Sequence, residues 1–310
     1  MNLKLGLCCL FYNEPIKFKT YTNTALQKLS IVEQKKKIIS TIEHNIGTLQ
    51  KAIDYCYKNN ITSYRFSSDL FPHFQKIKEI LTEMELYILF EKLSKIDTKN
   101  ITLSCHPGQY VNLGSPNKDV VLNSIADLEY HKILSDCLLS YEINIHLGGT
   151  YGNKSEAKRR FIDVVKQNNL EYLTIENDEL SFSVQDCLEV AEELNIPVTF
   201  DLHHHRCHAL NQDYSSDLSE YELFLNCKDT WLKAGYNYMR MHLSNPKDSY
   251  STPSKSRAHS DLIYDVNSIP DWLIEESKHF DIHLDIEAKH KEVAIFKLLE
   301  DINNIKRRIK

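Results

Sequence analysis

Apolar residues along this chain follow two spacings that take turns. Short aliphatic and β-branched runs occupy 3–11, 61–68, 101–105, 141–147, 172–176, 198–202, 238–243 and 282–287, and each predicts a strand. Between them, apolar residues return every three or four positions, the period of a half-buried helix. That spacing covers 34–59, where Ile38, Ile42, Ile46, Leu49, Ile53 and Cys56 share a face, and 73–95, with Ile77, Ile80, Leu81, Met84 and Ile88. It recurs at 117–140, 154–168, 183–195, 217–234, 270–279 and 291–307. Pro116 and Pro270 stand at helix starts and Asn59-Asn60 at a helix end. The polar stretches 12–30 and 244–262 read as long loops.

Strand patterns that each lead into a helix pattern predict parallel strands joined by right-handed crossovers. Eight such units closing on themselves form a (β/α)8 TIM barrel, an α/β fold in one domain over residues 1–310. The rival, an open doubly wound sheet, calls for a glycine-rich phosphate turn after an early strand, and no G-x-G-x-x-G is present.

Composition changes this picture only a little. Hydrophobic content of 42% and charged content of 26% are those of an ordinary globular protein. Lys and Arg number 37 against 43 Asp and Glu, a net charge of −6, so any nucleic-acid contact has to be local. The eight cysteines include no C-x-x-C pair and read as small buried thiols of a reducing compartment. The apolar run Leu5–Phe11 is too short to cross a bilayer and lacks the flanks of a signal peptide, so a cytoplasmic protein with no membrane partner is expected.

The chemistry gathers where strands end. The run 101–105 leads into His106, 141–147 carries His146, 172–176 ends in Glu176, and 198–202 delivers Asp201 and then His204. The run 238–243 carries His242, its following loop His259, and 282–287 ends in Glu287. All strands of a barrel end on the face where active sites sit, so these side chains are expected at one mouth. Crowded there, carboxylates and imidazoles would repel or lie desolvated unless cations offset them. Eight nitrogen and oxygen donors exceed one ion's shell, which predicts two or three divalent metal ions. Mixed imidazole and carboxylate donors suit zinc, manganese or iron. Such clusters suit phosphate ester hydrolysis, in which neighbouring ions activate a hydroxide and neutralise the leaving oxygen. A sugar isomerase on the same barrel is the competing chemistry, with fewer ligands and usually a base lysine.

The strand ends also carry motifs in a fixed order: His106-Pro107-Gly108-Gln109-Tyr110, His146-Leu147-Gly148-Gly149, Ile175-Glu176-Asn177-Asp178, Phe200-Asp201-Leu202-His203-His204, His242-Leu243-Ser244, His259-Ser260-Asp261 and Ile286-Glu287-Ala288-Lys289-His290-Lys291-Glu292. Together these resemble the UV-damage endonuclease family, relatives of the endonuclease IV apurinic endonucleases, over nearly the whole chain. The resemblance implies a TIM barrel with a three-metal site, manganese first and zinc, iron or cobalt as alternatives. It implies nicking of damaged double-stranded DNA on the 5′ side of photoproducts and some other lesions. It further implies that Glu176 bridges two ions, that Asp201, His242 and Glu287 complete one, that His106 and His146 complete the second, and that His204 and His259 hold the third. Gln109 and Tyr110 fall on the pair with which the family probes a lesion, where an aromatic wedge can replace lost stacking.

Two positions depart from the family's pattern. Leu7 stands where the family has a second probing tyrosine, with Phe11, Tyr12 or Tyr21 as candidates to stand in. Arg240 stands where the family has a lysine close to the metals; with Glu176 it is expected to serve catalysis, its guanidinium forking onto a phosphate or a carboxylate. Phosphate contacts are expected from Lys154, Lys158, Arg159, Arg160, Lys255 and Arg257, on a protein acting as a monomer. Abasic-site cleavage, a sugar isomerase-like or peptide-modifying metalloenzyme, and a binding protein without catalysis stand as the alternatives.

Overall fold

Eight short strands, all parallel, close on themselves in the computed structural model, which describes residues 3–264 and 268–309. They are β1 (Leu3–Cys8), β2 (Ser63–Phe66), β3 (Thr102–Cys105), β4 (Ile143–His146), β5 (Leu173–Glu176), β6 (Val198–Asp201), β7 (Tyr238–Leu243) and β8 (Asp281–Ile286). Their order around the wall is their order in the chain, and β8 pairs back onto β1. Helices separate the strands, so the chain is a (β/α)8 TIM barrel, as its periodicity predicts.

Alternation along each strand sorts the wall into two faces. Leu5 and Leu7, Ile143 and Ile145, Leu173 and Ile175, and Met239 and Met241 are buried toward the helices. The other parity is polar: Ser63, Asn144, Thr174, Glu176, Thr199, Asp201, Arg240, His242 and Asp285. These touch one another across the barrel, Arg240 reaching Ser63 on β2 and Asp285 on β8. Barrel interiors of this fold are usually filled by branched aliphatic side chains. Here the interior is largely ionic, and its packing is therefore a matter of charge pairing.

The helical layer is α1 (Asn23–Gln27), α2 (Ile31–Lys58), α3 (Phe74–Ile80), α4 (Glu83–Leu93), α5 (Lys118–Leu138), α6 (Lys154–Gln167), α7 (Val184–Leu194), α8 (Leu202–His208), α9 (Glu220–Lys233), α10 (Pro253–Ser256), α11 (Asp271–Glu276) and α12 (Lys291–Ile309). Three details differ from the periodic reading. The stretch 73–95 is two helices, because Thr82 caps α4 and Glu85 returns a bond to the cap, an arrangement worth about 1 kcal/mol that restarts the helix while the apolar spacing runs on. The stretches 12–30 and 244–262, read as loops, each contain a short helix, α1 capped by Thr22 and α10. Finally, β6 passes into α8 without a loop: the carboxylate of Asp201 accepts the backbone N–H of His204 and starts the helix.

The β1–α1 loop is tied to the far end of the chain. Glu292, buried at the start of α12, accepts the backbone N–H of Tyr12 and of Asn13, each at 2.7 Å. All eight cysteines are free, as expected. Among the described residues, no helix is long and apolar enough to cross a membrane.

Candidate metal centre

Strand register brings the site together. His146 lies opposite Glu176 across β4–β5, and Asp201 lies opposite His242 across β6–β7. His106 follows directly on β3 and Glu287 on β8, so six side chains reach one level of the barrel mouth. Glu176 is at the centre and fully buried. Its Oε2 lies 3.1 Å from His106 Nε2 and accepts the amide of Asn144. Its Oε1 lies 3.1 Å from His242 Nδ1 and 3.2 Å from His204 Nδ1.

Three donor groups form around it, each with its ligand atoms within 4.8 Å of one another: His106, His146 and Glu176; Glu176, Asp201 and His204; and Asp201, His242 and Glu287. Glu176 and Asp201 each belong to two groups, so each stands where a bridging ligand would. His204 thus groups with two carboxylates rather than with His259. The ring of His259 is 6.2 Å from that of His204, its Nε2 lies 3.9 Å from Glu287 Oε2, and its Nδ1 faces the carbonyl of Glu287 at 2.7 Å.

A cation fits this arrangement for a physical reason. Glu176 Oε1, Asp201 Oδ2, His146 Nδ1 and both ring nitrogens of His242 are buried without a hydrogen-bond partner. Each such atom costs about 1–3 kcal/mol when left unsatisfied. They nevertheless face one another, His242 Nδ1 lying 3.8 Å from Asp201 Oδ2 and 3.5 Å from Glu287 Oε1. Carboxylate and imidazole donors with no thiolate match a divalent cation.

The electrostatics are strongly coupled. Burial pushes the Glu176 carboxyl up, but the imidazoles of His242 and His146, with His106 and His204 close beside it, outweigh it and hold the group well below the usual carboxylate range. Burial opposes the charged form of His242 also, yet Glu176 and Glu287 raise it to about 9. Glu287 is held low against its own burial by Arg65 and His242. His106 is lowered by burial, which favours the neutral ring a metal requires.

The remaining predicted residues lie elsewhere. Gln109 and Tyr110 are exposed on the loop after β3, and the Tyr110 hydroxyl donates to Asp127 Oδ1 at 3.1 Å. Arg240 requires a correction. It is buried beneath the mouth, its Nε and Nη2 forked onto Glu142 and its Nη1 bonded to Asp285 and Ser63, so it takes the carboxylate option and does not face a substrate phosphate. Several of the expected phosphate contacts are also engaged: Lys154 and Lys158 with Asp186, Arg160 with the carbonyl of Gly114, and Arg257 with Glu179. Lys255 and Arg159 are exposed. Leu7, Phe11 and Tyr21 are buried, while Tyr12 is exposed and stacked on His290 with ring centroids 4.0 Å apart.

Sequence reasoning missed four residues. Arg65 on β2 donates to Glu287 Oε1. Asn144 holds Glu176, and Asn177 exchanges two hydrogen bonds with the backbone of Asp201. Glu179 approaches His204 Nε2 at 3.9 Å. Two of them left a signal: Arg65, a full charge inside an otherwise apolar and hydroxylated strand, and Asn177, which stands in the motif after Glu176.

Comparison with known proteins places the whole chain. The family model described as "UV-endonuclease UvdE" matches residues 3–310. A UV DNA damage endonuclease of Nostoc sp. is 31% identical over 309 residues, covering 94% of this chain and 88% of its own. That of Clostridium perfringens is 33% identical, covering 98% of this chain and 71% of its own. Among solved structures, the crystal structure of SacUVDE superposes with a TM-score of 0.80 at 25% identity, covering 98% of this chain and 99% of that one.

Proposed function

Because the chain belongs to the UV-endonuclease family, we propose that it is a metal-dependent DNA repair endonuclease that hydrolyses the backbone on the 5′ side of UV photoproducts. The observation that carries the metal part of this reading is the set of buried, unpartnered oxygens and nitrogens converging around Glu176. In this reading Asp201, His242 and Glu287 would hold one divalent ion and His106 and His146 another, with Glu176, 3.1 Å from His242 Nδ1, serving both. His204, with Asp201 beside it and His259 beyond, would hold a third. Manganese is the first choice, and zinc, iron or cobalt suit the same donors. When bound, such ions supply a hydroxide at neutral pH and offset the charge of the leaving oxygen.

The chain's own residues do the positioning. Asn144 bonds Glu176 Oε2 and Arg65 bonds Glu287 Oε1, and so each fixes one carboxylate at the cluster. Asp201 is fixed twice, by its backbone bonds to Asn177 and by capping α8. Gln109 and Tyr110, exposed at the rim, offer a polar group and an aromatic face that can fill the stack vacated by an extruded lesion. Damaged pairs are the cheaper ones to open, which gives the wedge its selectivity. The protein is proposed to act on duplex DNA as a monomer.

The test is direct. Protein loaded with manganese, magnesium, zinc or cobalt is incubated with a duplex carrying one photoproduct, and a nick immediately 5′ of the lesion is expected. No lesion-proximal nick with any of the four ions overturns the reading. One observation favours a second reading. Leu7, at the family's second probing position, is buried in the barrel wall and offers no aromatic face. An abasic site, which needs less probing, is then the preferred substrate, and initial rates on abasic and photoproduct duplexes measured side by side decide between the two.

A further inference from the structure

Both ring nitrogens of His242 are buried, and neither makes a hydrogen bond. They look in opposite directions. Nδ1 faces Glu176 Oε1 at 3.1 Å, Glu287 Oε1 at 3.5 Å and Asp201 Oδ2 at 3.8 Å. Nε2 faces Asp285 Oδ2 at 3.9 Å, and that oxygen is also buried and unpartnered. Asp285 sits directly opposite His242 in the β7–β8 register.

The other oxygen of Asp285 is fixed. Its Oδ1 accepts Arg240 Nη1 at 2.7 Å and Ser63 Oγ at 3.4 Å. A Cβ on Gly6 would overlap this oxygen, so glycine on β1 leaves the space it occupies. Arg240 is in turn forked onto Glu142, whose Oε1 also accepts the hydroxyl of Tyr238 at 2.8 Å. One guanidinium therefore stands between two buried carboxylates, and Glu142 alone would neutralise it. The excess negative charge of Asp285 has to find a donor, and the donor its free oxygen faces is His242 Nε2.

We infer that Asp285 is a positioning residue for the metal centre: it accepts the Nε2–H of His242, fixes the tautomer that leaves the Nδ1 lone pair to a divalent cation, and is itself held by Arg240. Metal-ligating histidines commonly give their second N–H to a carboxylate in this way, and loss of the carboxylate weakens metal binding by roughly 10- to 100-fold. The 3.9 Å separation is longer than a hydrogen bond, as contacts of this kind often are before a site is filled. This inference rests on the metal-centre reading given above. It gives Arg240 a role that its distance from the substrate side would otherwise deny it.

The experiment needs no DNA. Cobalt(II) is titrated into the unaltered protein and into Asp285→Asn, followed by visible absorption and calorimetry, with thermal unfolding of both metal-free proteins as the check on folding. Asp285→Asn is expected to fold and to bind cobalt about 10- to 100-fold more weakly. In parallel, long-range proton–nitrogen NMR of the zinc-loaded unaltered protein reports which nitrogen of His242 carries its proton, the signal being assigned by its loss in His242→Gln. The proton is expected on Nε2. A folded Asp285→Asn that binds cobalt like the unaltered protein overturns the inference, as does a proton found on Nδ1. Where Asp285→Asn does not fold, the NMR result decides alone. Absence of cobalt binding by the unaltered protein overturns both this inference and the metal-centre reading, whereas normal binding with an indifferent Asp285→Asn overturns this inference only.

Discussion

Two ionic clusters are stacked inside one barrel, and they are built on opposite principles. In the lower one, all three guanidinium nitrogens of Arg240 are bonded, and both oxygens of Glu142 are taken. In the upper one, buried oxygens of Glu176 and Asp201 and nitrogens of His146 and His242 lack partners. The two share burial, strand parity and residue types. They differ in how far the protein completes its own hydrogen bonds, Asp285 Oδ2 being left unpartnered where the lower cluster faces His242. A site that satisfies itself is scaffold. A site left unsatisfied at a cost of several kcal/mol is one that expects something else to arrive.

Substitutions can break this contrast. The largest effect is expected at the upper cluster: Glu176→Gln should lower nicking on the order of a thousandfold, since one carboxylate serves two donor groups, while destabilising the metal-free protein less than loss of Arg240 does. Turnover and urea unfolding on the same preparation check both halves. At the lower cluster the pattern reverses. Arg240→Met strands two buried carboxylates and should cost about 3–5 kcal/mol of unfolding free energy even without metal. If Glu176→Gln proved the more destabilising of the two, the distinction between scaffold and site would be wrong.

A pH series sharpens the contrast further. In metal-free protein, Glu176 is held below its ordinary range, so its contribution is present above that range and is lost in acid as pH falls through the lowered value. His242 is raised from 6.5 to about 9, so its contribution is full below pH 6.5 and is lost as pH rises through about 9. The midpoint of thermal unfolding should therefore fall between those two values in metal-free protein. Added manganese should suppress that fall, with proton release on binding near neutral pH, as calorimetry in buffers of different ionisation enthalpy would register. The smallest effect belongs to the rim. Tyr110→Ala should reduce the preference for damaged over intact duplex by about tenfold, the scale of one aromatic–base stack, and leave cleavage at saturating enzyme nearly unchanged.

How much of this was legible in the sequence follows from where each signal lies. The outer wall and the helices announce themselves through spacing, because Ile38, Ile42 and Ile53 or Met239 and Met241 are buried by their neighbours in the chain's own period. The donors at the mouth were legible because each directly ends a strand. The lower cluster was not, because its partners are set by closure of the barrel: Arg240 meets Glu142 and Ser63 across separations of 98 and 177 residues. The same limit explains why Arg240 reads from sequence as a group facing the substrate. It also explains why His259, placed by a loop, stands further from the donor groups than its neighbours in the sequence motifs. The break at Thr82 was hidden for the converse reason, since a cap interrupts a helix without interrupting its apolar stripe.

Glu292 joins the first loop of the barrel to the last helix by gripping the N–H groups of Tyr12 and Asn13. The seam where the cylinder closes is thus fastened on the side where substrate would approach. Trimming this protein from its carboxyl terminus past residue 292 would release the rim that carries Tyr12 and strip α12 from the barrel, so the tail cannot be treated as a dispensable handle.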